Sequence, residues 1–192
     1  MKINPFLIVC TMLLIVILSS CGKEEAPKVE ESPFFVFFDQ SAIAIDTTPV
    51  AIDTWEYGFV FNPLTKGNVT KLGLKLPVTG EFNVKLWDLS GNTPVILTDK
   101  KITSTTIHTP VFLDIPPIAV QKEAKLGVTI LANSFYRIHK QNASAFAFPL
   151  TVGNIRIVSF NEGMNNLGLG AFPDTTNTVR VAPCVNVVFV AD

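Results

Sequence analysis

Leu18-Ser19-Ser20-Cys21 is the short stretch whose residue types commit it to a definite chemistry. Small side chains at 19 and 20 let a peptidase reach the backbone, and the thiol directly after them can take a diacylglyceryl group. Ordinary secretory cleavage has no use for that thiol. The preceding residues fit: Lys2 supplies a positive start, and Phe6 to Leu18 is a mostly apolar run. That run has the length of a signal peptide's hydrophobic region and is too short to span a bilayer as an anchor. The pattern is that of a bacterial lipoprotein signal. It predicts removal of residues 1–20 and acylation of Cys21 as the mature N-terminus. One acyl chain holds a protein only marginally, so the two or three carried by such a cysteine make the anchor stable.

Elsewhere the search for reactive groups returns little. His108 and His139 are the two histidines, and neither has a second ligand at metal spacing. No Gly-x-Ser-x-Gly elbow, phosphate loop or dinucleotide fingerprint is present. A glycosidase needs two facing carboxylates, and most of the acidic residues fall between 22 and 33 or at turns. The expectation is a protein that is not an enzyme. Asp39, Asp46, Asp53, Asp88, Asp99 and Asp174 offer oxygen ligands for a structural calcium, but no Asp-x-Asp-x-Asp cluster concentrates them. No cofactor is therefore expected, with structural calcium left open. Of three cysteines, Cys10 leaves with the signal and Cys21 is acylated. Cys184 then has no disulfide partner, and Val181, Val185 and Val187 around it suggest a small buried hydrophobe. A formal net charge of −1 gives no electrostatic footprint for nucleic acid.

Binding chemistry is better represented. Ala132 to Asn142 mixes aromatics with polar groups, and Ser159 to Asn177 is rich in glycine and asparagine. Both read as long irregular connections, which are usually functional or mobile. Asn161, Asn165 and Asn166 each offer a donor and an acceptor suited to sugar hydroxyls, while Tyr136 and His139 add flat faces. Trp87, between Lys85 and Asp88, is a further candidate. Either its face of the strand is open and it stacks on a sugar ring, or that face is covered, as for most tryptophans.

The elements that must position these residues have period two. Tyr57, Phe59 and Phe61 share a face with Trp55, opposite Glu56, Gly58 and Val60. Leu72, Leu74 and Leu76 alternate with Lys71, Gly73 and Lys75; Phe82, Val84 and Leu86 alternate with Asn83, Lys85 and Trp87; Val111, Leu113 and Ile115 alternate with Phe112 and Asp114. Each reads as a half-buried strand. Val185 to Val190 is apolar on both sides and predicts a central strand. Turns are expected at Asn62-Pro63, Lys66-Gly67-Asn68, Thr79-Gly80, Ser90-Gly91-Asn92 and Pro116-Pro117. The fold class is therefore all-β, an antiparallel sandwich of the jelly-roll type, preceded by a signal helix and a disordered tether. The boundaries are a signal over 1–20, a lipidated tether over 21–33 and one sandwich domain over 34–192. The tether has two prolines, six charges and one β-branched residue, and so cannot bury apolar surface. Its Lys23-Glu24-Glu25 resembles an export tag that routes some Gram-negative lipoproteins to the cell exterior.

Glu56 to Phe61, Gly67 to Leu72, Val84 to Trp87, Phe148 to Thr151, Gly168 to Pro173 and Val185 to Phe189 form an ordered set. That set resembles an uncharacterised β-sandwich domain of secreted bacterial proteins, often found beside immunoglobulin-like modules. The resemblance covers about 55–190. It implies a sandwich fold, an extracellular setting and a binding or spacer role, with no reaction to carry over. The family's last strand is aromatic-rich and holds an Asp, whereas this chain reads Val181-Ala182-Pro183-Cys184-Val185-Asn186. The expected protein is an outer-membrane lipoprotein facing the exterior. It is held by the lipid on Cys21 and uses its sandwich as a non-catalytic binding module for glycan, or as a structural, protein-contacting part of the envelope.

Overall fold

The computed structural model describes residues 28–35, 45–164 and 171–192, with the backbone alone over 45–53. Cys21, Asp39, Asn165 and Asn166 lie outside the described residues. The strands are β1 (Glu30–Glu31), β2 (Ile45–Pro63), β3 (Gly67–Leu74), β4 (Gly80–Asp88), β5 (Val95–Ser104), β6 (Val111–Val120), β7 (Leu126–Lys140), β8 (Leu150–Val152), β9 (Ile155–Met164), β10 (Thr175–Thr176) and β11 (Val185–Ala191). A single helical turn at 33–35 interrupts them.

The strands form two open antiparallel sheets. The smaller has the order β1-β11-β3-β6. The larger runs β10-β9-β2-β7-β4-β5, with β8 paired to β9. Setting β8 to β10 aside leaves eight strands in chain order. The first, eighth, third and sixth share one sheet; the second, seventh, fourth and fifth share the other. This interlocking of two Greek keys is the jelly roll. The remaining strands are an insertion between the seventh and eighth, added along the outer edge of β2.

Period two explains the core. Tyr57, Phe59, Phe61, Leu72, Leu74, Val84, Leu86, Val128 and Ile130 all point between the sheets and are buried. β11 is apolar on both faces and lies between β1 and β3, as a central strand should. Cys184 is buried just before it, a free thiol packed as a small hydrophobe.

Four expectations change. The stretch over 132–142 is mostly the second half of β7, laddered on residues 45–51 of β2. Its alternating Ser134, Phe135, Tyr136 and Ile138 suit a pleated surface once that partner is present. β9 likewise continues through Asn161, Glu162 and Gly163 to Met164, because both β2 and β10 pair with it. Pro116 and Pro117 lie within β6 beside a register shift, where an edge strand tolerates a missing donor. The tether ends earlier than composition suggests, since Glu30 and Glu31 form β1. Lys71 Nζ donates to Glu30 at 2.9 Å, and Asn154 donates twice to the Glu31 carboxylate at 2.6 Å. Asn186 then accepts from Phe34 N–H and donates to Ser32 Oγ, and Phe34 packs 4.4 Å from the Phe59 ring.

Candidate functional site

The outer face of the larger sheet carries charge where a solvent-facing surface would be expected. Register places Lys85 of β4 opposite Thr129 of β7, and Thr129 opposite Gly58 of β2. Glu56, one step along β2 on the same face, reaches across to both. Lys85 Nζ donates to the Glu56 carboxylate at 3.2 and 3.3 Å. Thr129 Oγ1 donates to Glu56 Oε1 at 2.7 Å and accepts from Trp87 Nε1 at 2.8 Å. Lys85 Nζ also stands 5.5 Å from the Trp87 ring centroid, over its face. All four side chains are buried. Burying such a pair is tolerable because the carboxylate accepts from the Thr129 hydroxyl as well as from its Coulomb partner Lys85.

The segment at 171–174 lies over part of this face. Phe172 meets the Trp87 ring edge-on with centroids 5.8 Å apart. Gly127 makes room for it, since a Cβ there would stand 2.3 Å from the Phe172 ring. Asn161 holds the next residue: its Nδ2 donates to the Pro173 carbonyl at 3.2 Å, while its Oδ1 accepts from Ser159 Oγ at 2.7 Å. β10 continues the segment along β9.

Beside this segment opens a pocket of about 410 Å³. Leu89, Pro94, Phe172 and Pro173 form apolar walls, and Asn92, Lys125, Ser159, Asp174 and Thr176 supply polar groups at its lining. An apolar surface ringed by a few amide, hydroxyl and charged groups is what a sugar ring with its hydroxyls requires.

The sequence candidates divide around this site. Asn161 lines the pocket, but its amide is engaged in holding the overlying segment, so it positions rather than presents. Trp87 is 2% exposed and is no stacking platform, because the 171–174 segment covers its face. Tyr136 is buried, its hydroxyl paired with His108 Nδ1 and its backbone N–H donating to Cys184 Sγ at 3.3 Å. His108 itself is exposed, with a φ of 64°. Tyr136 pairs with Pro49 on β2 and Asn161 with Gly58, so roughly 25–30 Å of strand separates them. His139, opposite Asp46, stands at the same far end as Tyr136. The candidates on β7 and β9 therefore do not form one site. Among the described residues no three His, Cys, Asp or Glu side chains gather as metal ligands would; the side chains of Asp46 and Asp53 fall outside those described.

Phe172, Asn92 and Lys125 went unrecognised in the sequence. Asn92 reads there as part of a turn signal, and nothing local joins it to Phe172. Glu56 and Lys85 gave no signal either, being on strands joined only by the sheet. No protein-family model matches the chain, and no curated protein or solved structure matches it.

Proposed function

We propose that this protein is a cell-envelope lipoprotein, anchored by lipid on Cys21 and displayed on the outer membrane, whose jelly roll is a non-catalytic binding module for glycan. The Leu18-Ser19-Ser20-Cys21 signal supports the anchor, and the Lys23-Glu24-Glu25 tag supports display. The observation that carries the binding role is the pocket beside Phe172, with an apolar wall and convergent Asn92, Ser159, Lys125, Asp174 and Thr176. The resemblance to secreted β-sandwich domains agrees with that setting. Cys21→Ala should abolish labelling by a fatty-acid analogue. On a glycan array the domain should retain specific sugars. Phe172→Ala with Asn92→Ala should weaken that retention at least tenfold without large loss of stability, the size expected for an aromatic contact plus a polar one. Full retention by the folded double variant would remove the pocket from consideration.

A second reading has its own observation. Val95, Ile96 and Leu97 are exposed in succession on β5, the free edge of the larger sheet. Exposed apolar residues on an unpaired edge favour a protein partner in the envelope. Recovery of one stoichiometric partner from intact membranes, lost with Ile96→Lys, would support this role over glycan.

A further inference from the structure

We infer that the end of the sandwich where the chain arrives faces the bilayer and rests on its lipid headgroups. The inference depends on the Cys21 anchor proposed above.

The first support is the direction of β1. Glu30 lies opposite Val190 and Glu31 opposite Phe189, so β1 points its N-terminal end toward Ala191. Glu31 is tied there to Asn154. The stretch from Cys21 to Glu30 spans at most roughly 30 Å even when fully extended. The near end is thus held close to the acyl chains, while the turns at 105–109 and 141–144 lie a further strand length away.

The second support is that the near end is one continuous surface. Leu64 N–H donates to Asn154 O at 2.7 Å, Leu89 N–H to Lys125 O at 2.8 Å, Glu123 N–H to Pro63 O at 2.8 Å and Asp192 N–H to Lys66 O at 3.1 Å. These bonds join the turns around 64–66, 89–92, 121–125 and 153–154 into one platform.

The third support is charge. Of the acids at this end, Asp192 pairs with Lys66 and Glu123 with Arg156, while Glu31 and Asp88 accept from the neutral amides of Asn154 and Ser90 and Asp174, at the pocket, accepts from the Thr175 hydroxyl. Lys122 and Lys125 are exposed and have no acidic partner among the described residues. Two such ammonium groups suit the phosphates of an anionic leaflet. The pocket beside Phe172 opens next to Lys125 and Asn92 at this same end, so the sugars nearest to it are those carried by headgroups of the anchoring leaflet.

The test uses the full acylated chain in vesicles of phosphatidylethanolamine and phosphatidylglycerol. A fluorophore is attached at Gln121→Cys or at Ser144→Cys. Cys184 is fully buried and stays unlabelled. A headgroup-borne quencher should quench the label at 121 several-fold more than the label at 144. Lys122→Ala and Lys125→Ala should each weaken the headgroup contact about fivefold, read as lost quenching at 121, and should have no effect in phosphatidylcholine vesicles. Equal quenching at both positions, or stronger quenching at 144, overturns the inference while leaving the anchor intact. Failure of the chain to enter vesicles overturns the anchor and this orientation with it.

Discussion

Tyr57 and Cys184 sit side by side in the core. Burial pushes the Cys184 thiol up to about 12, and the Tyr136 N–H that donates to its sulfur offsets this only in part. Burial likewise raises the Tyr57 hydroxyl well above its ordinary range, and that hydroxyl finds no nitrogen or oxygen partner, only the neighbouring thiol. Both groups are therefore held neutral in the folded state and ionise more easily once unfolded. The folded state then binds more protons than the unfolded state above the unfolded thiol's pKa of about 8.5, so stability falls as pH rises. The expected outcome is a constant urea midpoint up to about pH 8.5 and a steady decline toward about pH 12, with a slope approaching 1.4 kcal/mol per pH unit for each group. In Cys184→Ala the onset should move to about pH 10, where the buried Tyr57 and Tyr136 hydroxyls, both raised by burial, remain. An unchanged onset would show that the thiol is not the group responsible.

Among the elements, β1 does more than its two residues suggest. It is the first strand of the jelly roll, and it brings Ser32 and Phe34 to Asn186 and the Glu31 carboxylate to Asn154. Residues 34–192 lack that strand and four of the side-chain hydrogen bonds that fasten it. A fragment over 28–192 should therefore unfold at a distinctly higher denaturant concentration than one over 34–192, with about 1 kcal/mol attributable to each lost bond. Equal midpoints would mean that the charged stretch is a tether throughout. The inserted β8 to β10 are a second case of an element doing unexpected work. β9 pairs along β2, and β8 and β10 pair with β9; together they carry Asn161 and Thr176 to the pocket and flank the segment that covers Trp87.

For the whole molecule the relevant fact is one core. Residues from both sheets, from Phe34 to Phe189, belong to a single buried cluster, and the inserted Ile155, Ile157 and Phe160 are part of it. Neither sheet can open without exposing the other's inner face. Unfolding should be all-or-none. Far-ultraviolet dichroism and tryptophan fluorescence should trace the same transition, although Trp87 reports on the outer face and the dichroism on all strands. Separate transitions would show that the insertion or one sheet melts independently.

Alternation of side chains is a local property, and so the strands around Tyr57, Leu72, Leu86 and Val187, their inward faces and the buried setting of Cys184 were all legible in the chain. The proposed lipoprotein signal ending at Cys21 is local in the same sense, resting on a few adjacent residues. The ladders were not local. Ser134 to Ile138 became strand because β2 lies beside them, and Asn161 to Gly163 because two neighbours pair with them. Glu30 and Glu31 became strand because Lys71 and Asn154 answer their charges. Alternation alone does not say whether the face of Trp87 is exposed or covered; Phe172, far along the chain, packs against its ring. The pocket gathers Asn92, Lys125, Ser159 and Phe172 from four separate segments. Their proximity follows from sheet order and register, and no spacing in the chain encodes it.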